Sequence, residues 1–271
     1  MATVLGTLQS GLDHFPFLSE DWELNTKEER LLGVSLTGIC DNVAMAGANP
    51  TLLGVALEIL RQRAVEANTI VSFELGLNPS AAITCVKPSG TVSQLCNTAS
   101  GIHARYAPHY IRRVRMDTKD SLAKWMVKQG VPYVKCDKTT YAFEFPIKAP
   151  EGSVFRNDKT AIEQLELWAI YQKEWCEHKP SITVYVDKDE WDTVGHWVKD
   201  HLGVLSGVSF LPKQDDDHTY ENAPYEDISE ETYNRLVAEM PDVDFSKFVE
   251  RDDHTTASQE FACVGGACEI V

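Results

Sequence analysis

Two short stretches carry side chains whose types and spacing suit chemistry. The first is Lys87-Pro88-Ser89-Gly90-Thr91-Val92-Ser93, which follows a short, apolar, β-prone run over residues 81–86. A strand that enters a glycine-containing turn and opens a helix leaves several main-chain N–H groups aimed one way. The helix dipole adds partial positive charge there, so phosphate oxygens are well accommodated. The hydroxyls of Ser89, Thr91 and Ser93 would add donors. The stretch is not a P-loop, because GxxxxGK[ST] is absent. Pro-Ser-Gly-Thr also makes a good turn and cap with no ligand at all. The second stretch is Cys263-Val-Gly-Gly-Ala-Cys268, close to the end of the chain. Two thiols around Gly-Gly can close and open a disulfide without straining a folded core, which suits a swinging redox arm. Zinc would need further ligands, and no second cysteine pair or His-x3-5-His element lies nearby. Two incidental tail thiols are the bland alternative.

Other residues carry less. Arg105, Arg112, Arg113 and Arg115 form a basic cluster in an acidic chain, readable as a ligand-facing patch or as a salt-bridged strand face. His103 and His109 beside it read as satisfied structural histidines. Asp215-Asp216-Asp217-His218 resembles a metal site in composition only, and no metal site is expected. Cys40, Cys85 and Cys96 sit in apolar settings and read as core thiols.

The elements that must hold these residues alternate in type. A helical stripe runs through Val4, Leu5, Leu8, Leu12 and Phe15, and its abrupt start suggests a chain cut from something larger. Thr26 and Glu29 have capping-box spacing, and the apolar run at 31–39 that follows fits helix or strand. Asn49-Pro50 opens a helix over 51–68, with Leu52, Leu53, Val55, Ala56, Ile59 and Leu60 as its buried side. Strands are expected at 110–116 and 142–147, with a helix at 121–129 between them. A helix at 161–178, a strand at 182–186, a helix at 191–202 and a strand at 208–211 follow. Strands alternating with helices predict an α/β architecture with parallel pairing.

The 271 residues include 25 Lys plus Arg against 41 Asp plus Glu, a net charge of −16. Coulomb repulsion therefore opposes non-specific binding to nucleic acid or acidic membrane. No apolar run is long enough to span a bilayer, and no signal peptide is legible. Seven scattered cysteines do not form a secreted disulfide framework, so a reducing cytoplasm is the expected compartment. Residues 211–260 hold 15 acidic and 4 basic side chains, with one helix at 230–240 capped by Ser229. The chain divides on this reading into a folded portion, 1–245, and a mobile tail, 246–271.

The order of segments resembles a known family. Glu29-Arg30-Leu31-Leu32-Gly33-Val34-Ser35-Leu36-Thr37-Gly38 precedes Ile83-Thr84-Cys85-Val86 and the Lys87–Ser93 turn. Ser100-Gly101-Ile102-His103, then Tyr110-Ile111-Arg112-Arg113-Val114-Arg115, then Ser206-Gly207-Val208-Ser209-Phe210-Leu211-Pro212 and Ala223-Pro224-Tyr225-Glu226 follow, before the terminal cysteine pair. Together they look like the C-terminal half of a monomeric-type, adenosylcobalamin-dependent (class II) ribonucleoside-triphosphate reductase. The resemblance implies the second half of a ten-stranded α/β barrel with a mobile C-terminal redox tail. It implies that Pro88, Ser89, Gly90, Thr91, Val92 and Ser93 bind the phosphates of a ribonucleoside triphosphate. Cys263 and Cys268 would re-reduce the active-site disulfide, recharged in turn by thioredoxin or a similar dithiol. The chain lacks the family's Asn-x-Cys-x-Glu segment with its radical-forming cysteine, and Cys40 has no such context. The resemblance therefore implies a fragment or split enzyme that needs an N-terminal partner chain, with adenosylcobalamin bound by the assembly. A non-catalytic nucleotide-binding or partner-binding remnant and a free-standing thiol carrier are the rival readings.

Overall fold

The structure is a computed structural model, and it describes residues 1–90, 92–213 and 222–250. In chain order these form α1 (Ala2–Ser10), α2 (Glu20–Glu29), β1 (Val34–Ser35), α3 (Pro50–Leu75), β2 (Thr84–Cys85) and α4 (Val92–Leu95). Next come β3 (His109–Asp117), α5 (Ser121–Gln129), β4 (Tyr133–Lys135), β5 (Thr140–Lys148) and α6 (Ala161–Glu174). The last are β6 (Ile182–Val186), α7 (Trp191–Asp200), β7 (Val208–Pro212), β8 (Tyr225–Asp227) and α8 (Glu230–Glu239). The chain divides into two compact units, one of residues 1–104 with 156–213, the other of 105–155 with 214–271. No described helix is long and apolar enough to cross a membrane.

The first unit has the parallel pairing that alternation predicts. β1 pairs with β2 and β6 with β7, both parallel, and a parallel bridge between Val86 and Pro180 links the two pairs. Around them lies one apolar core in which Leu57, Leu165, Trp168, Tyr171, Val184 and Val186 are fully buried. The indole N–H groups of this core all find acceptors: Trp168 Nε1 donates to the Pro180 carbonyl at 3.1 Å, Trp175 Nε1 to the Cys85 carbonyl at 2.7 Å and Trp197 Nε1 to Glu166 at 2.6 Å. Those bonds leave no buried indole donor unsatisfied while the rings fill the interior.

Local signals set several helix starts. Asn49 accepts from the Leu52 N–H at 3.1 Å with Pro50 at the first helical position, and α3 then runs seven residues beyond the expected end. Thr160 and Glu163 form a reciprocal capping box at the start of α6. The pair Thr26 and Glu29 does not. Both lie inside α2, which begins at Glu20 after Ser19, and a residue with helical dihedrals cannot act as an N-cap. The apolar run at 31–39 becomes a two-residue strand and a 3-10 turn at Ile39–Asp41.

Two helix faces differ from those the apolar pattern predicts, although Leu53 is buried as expected. α1 buries Thr3 and Thr7 and exposes Leu5 and Leu8, and Leu12 beyond its end is exposed as well. α3 buries Leu53, Leu57, Ala64, Asn68 and Ser72, and exposes Leu52, Val55, Ile59 and Leu60. Leu53 and Leu57 pack into the core with Trp168 and Tyr171, and further along α3 a polar network joins it to α1. The Asn68 amide donates to Thr7 Oγ1 and to Ser80 Oγ, each at 2.9 Å, and its carbonyl accepts from the Ser80 N–H at 2.9 Å. A buried amide costs little once every group is paired, so Asn68 is accommodated in the interior.

The second unit departs from parallel pairing. Its sheet has the order β4-β5-β3-β8, and every pairing is antiparallel. The strand β4, not expected from the sequence, is joined to β5 by a short turn in which Asp137 Oδ1 accepts from the Thr139 N–H at 2.6 Å. A tight turn forces antiparallel neighbours, so β5 cannot complete a parallel crossover onto β3. Within this sheet Arg113 is spent on structure. Its Nε donates to Glu144 at 2.8 Å, Glu226 also pairs with it, and its remaining donor reaches the Ala223 carbonyl at 3.1 Å.

Candidate functional site

The bend that follows β2 belongs to the first unit, and a second turn fixes it from behind. As the chain leaves Val86, the Lys87 N–H donates to Ser35 Oγ at 3.0 Å, tying the bend to β1. The Ser89 N–H donates to Ser100 Oγ at 2.7 Å. The Ser93 N–H donates to Ser89 Oγ at 2.9 Å, and the Ser93 hydroxyl bonds the Ser89 carbonyl. Lys87 and Pro88 are exposed, Ser89 and Gly90 half-buried, Val92 exposed and Ser93 buried. Ser89 and Ser93 are thus tied to each other, with Pro88, Gly90 and Val92 beside them. Thr91, Cys263, Cys268 and the Asp215–His218 run lie outside the described residues.

Two details refine the electrostatics expected of this bend. α4 spans only Val92–Leu95, a single turn, so its dipole is small beside that of a full helix. The amides of Ser89 and Ser93 are engaged within the protein, so these two residues shape the bend.

The backing turn is itself over-determined. Gly38 N–H and Thr37 Oγ1 both donate to the Ala99 carbonyl, at 2.8 and 2.9 Å. Asp41 Oδ2 accepts from the Ala99 N–H at 2.7 Å, and Thr37 Oγ1 accepts from the Gly101 N–H at 3.0 Å. Gly101 has φ of +52°, and a Cβ there would lie 2.7 Å from the Lys87 carbonyl oxygen. Only a glycine lets the two turns approach this closely. Ser35, Thr37, Asp41, Ser100 and Gly101 are therefore supporting residues to which the sequence assigns no individual role. Their one outward sign is clustering of small hydroxyl and glycine residues in two separate segments.

His103 completes the support. Its Nε2 accepts from the Thr183 N–H at 3.1 Å, so its proton sits on Nδ1, 3.0 Å from the Ser100 carbonyl. Burial pushes this imidazole below its ordinary value of 6.5, against the opposing pull of that carbonyl. The unfolded chain protonates His103 near 6.5 whereas the native state resists, so the stabilisation is complete above that pH and is lost on acidification below it. Urea midpoints measured from about pH 7.5 down to about pH 5 should fall below pH 6.5, with a component of that fall missing in His103→Gln.

The described cysteines are free. Burial pushes Cys40 and Cys176 up to about 12 and raises Cys85 as well, so all three stay protonated near neutral pH and are poor nucleophiles. Cys96, expected in the core, is exposed just after the short α4, because its side chain falls on the outer side of that turn. Among the described residues no group of three or more His, Cys, Asp or Glu is placed to hold a metal ion.

Comparison with known proteins adds an independent line. No family model matches the chain. A Dictyostelium discoideum protein named probable adenosylcobalamin-dependent ribonucleoside-triphosphate reductase is 33% identical over 201 residues, covering 73% of this chain and 26% of that protein. The Lactobacillus acidophilus adenosylcobalamin-dependent ribonucleoside-triphosphate reductase is 27% identical over 290 residues, covering 94% of this chain and 39% of that enzyme. The Euglena gracilis reductase of the same name is 28% identical over 249 residues, covering 88% and 33%. A crystal structure of a B12-dependent (class II) ribonucleotide reductase superposes with a TM-score of 0.75 at 22% identity, over 90% of this chain and 38% of that one. The chain thus shares that mixed α/β fold and spans roughly a quarter to two fifths of the length of the relatives it matches.

Proposed function

The chain is a homologue of the adenosylcobalamin-dependent ribonucleoside-triphosphate reductases, and on that premise we propose that it forms part of such an enzyme. Residues 1–245 supply the second half of the ten-stranded barrel, and the C-terminal segment that follows carries the redox pair Cys263 and Cys268. The substrate is a ribonucleoside triphosphate whose phosphates are held at residues 88–93. An N-terminal chain carrying the radical-forming cysteine completes the site, in the cytoplasm. The observation that carries this reading is the bend itself: a parallel strand turns at Pro88 into a segment whose shape is held by Ser100 and Gly101.

The balance of charge sets what the bend must do. In a chain of net charge −16, a polyphosphate is repelled at long range, so attraction must come from main-chain and hydroxyl donors within a few ångströms. Holding the phosphates fixes the ribose and places its 2′-carbon against the reducing thiols, which is a positional contribution to rate.

Adenosylcobalamin, bound by the assembly, would supply the radical that starts the chemistry. Its cobalt arrives already ligated by the corrin, so a chain without a three-ligand metal cluster among its described residues is compatible with it. No residue of this chain is assigned to the corrin. In the reduction, the 2′ C–O bond breaks and the hydroxyl leaves as water, a new 2′ C–H bond forms, and the two electrons come from a dithiol elsewhere in the assembly, which becomes a disulfide. Cys263 and Cys268 then reduce that disulfide by exchange, becoming oxidised themselves until thioredoxin or a similar dithiol restores them.

The decisive experiment mixes the full chain with its matching N-terminal chain, adenosylcobalamin, a ribonucleoside triphosphate and reduced thioredoxin. Deoxynucleotide should form only when both chains are present. No product from the complete mixture, with nucleotide still bound, would replace this reading by that of a non-catalytic remnant.

A further inference from the structure

We propose that His103 is a positioning residue for the phosphate bend, carrying the order of strand β6 across to Ser89. For its consequence in catalysis this rests on the function proposed above; its structural content does not.

The chain of bonds begins at the edge of β6. In a parallel ladder, alternate N–H groups of a strand face the same neighbour. The N–H groups of Ser181, Thr183 and Tyr185 face the side on which the β2 segment lies. Ser181 donates to the Val86 carbonyl at 3.0 Å, but the chain then turns away at Pro88 to make the bend. The N–H groups of Thr183 and Tyr185 therefore meet no β2 carbonyl, although both residues pair with β7 on the other side. Side chains continue the ladder: His103 Nε2 accepts from Thr183 at 3.1 Å and Gln164 Oε1 from Tyr185 at 3.2 Å.

The imidazole also has a second bond, through its other nitrogen, and that is where it differs from Gln164. Nδ1–H points at the Ser100 carbonyl at 3.0 Å, and Ser100 Oγ accepts from the Ser89 N–H at 2.7 Å. Three hydrogen bonds, joined within Ser100 by the covalent path from its carbonyl to its Oγ, therefore lead from Thr183 through His103 to Ser89. Each link is fixed in direction, because an imidazole accepting at Nε2 can only donate at Nδ1. The strand that departs to build the bend is replaced at the sheet edge by the residue that steadies it.

The experiment uses two substitutions that each keep one bond. Asn places an amide donor where Nδ1 lies and has nothing to reach Thr183. Gln places a carbonyl where Nε2 lies and loses the donor to Ser100. Hydrogen exchange of the full chain is followed at Thr183, Ser89 and the α6 core, with inorganic tripolyphosphate as the binding probe. In His103→Asn, exchange at Thr183 should rise about tenfold or more. In His103→Gln, Thr183 should stay protected while Ser89 exchanges about tenfold faster and tripolyphosphate binds several-fold more weakly, with the α6 core unchanged in both. Unchanged exchange at Ser89 in both variants would overturn the proposal and reduce His103 to a strand plug. If the wild-type chain binds no tripolyphosphate while Ser89 still responds, the positioning role stands and the phosphate assignment fails.

Discussion

Replacing Gly101 with alanine is expected to cost the chain about 2–4 kcal/mol of stability and most of its affinity for a ribonucleoside triphosphate. Two effects add. A left-handed backbone costs an L-residue with a Cβ roughly 1–2 kcal/mol, and Gly101 holds φ of +52°. The new Cβ would also lie 2.7 Å from the Lys87 carbonyl oxygen, with the Val86 side chain 3.3 Å away. Neither neighbour can retreat, since Val86 is fully buried and the Lys87 N–H is bonded to Ser35. The strain must therefore move the bend or the backing turn. Gly130 is the internal control: its φ is +80°, yet a Cβ there meets nothing within 4 Å. Gly130→Ala should lose only the backbone component, about 1–2 kcal/mol, with nucleotide affinity unchanged. Urea unfolding and nucleotide titration of the two variants separate the effects, and equal losses in both would refute the close approach.

The second large effect concerns the tail. With both Cys263 and Cys268 replaced by serine, thioredoxin-driven turnover by the assembled enzyme should fall by about a hundredfold or more, because exchange with a disulfide needs a thiolate and a resolving thiol. One turnover from pre-reduced protein should survive, since the substrate-reducing thiols lie elsewhere. The buried cysteines offer no substitute. Cys40, Cys85 and Cys176 are buried and their thiols are pushed up by burial. Quenched-flow measurement of a single turnover beside steady-state assay distinguishes the cases. Equal loss of both would remove the shuttle role from the tail.

Much of the secondary structure was legible because its causes are local. Asn49-Pro50 starts α3, and the helix at Ser121–Gln129 lies at its expected position, with Asp120 accepting from the Leu122 N–H at 2.7 Å. The strands around it were likewise found within two residues of their ends. What failed was the assignment of faces and partners. Leu53 and Leu57 of α3 turn inward, yet Leu5, Leu8, Leu52 and Leu60 are exposed while Asn68 is buried and paired with Thr7 and Ser80. The antiparallel sheet of the second unit was misread because β4 is three residues long, too short for its alternation to register.

The sequence by itself determined the bend at Pro88, the cysteine pair near the terminus and the relation to the reductases, since turn chemistry and the order of short motifs are written in neighbouring residues. Only the tertiary structure decided how that bend is held. Ser89 meets Ser100 across eleven positions, and His103 meets Thr183 across eighty. Hydrogen bonds of that separation depend on where two strands part company, a fact of chain path that leaves no periodic trace in the residues concerned.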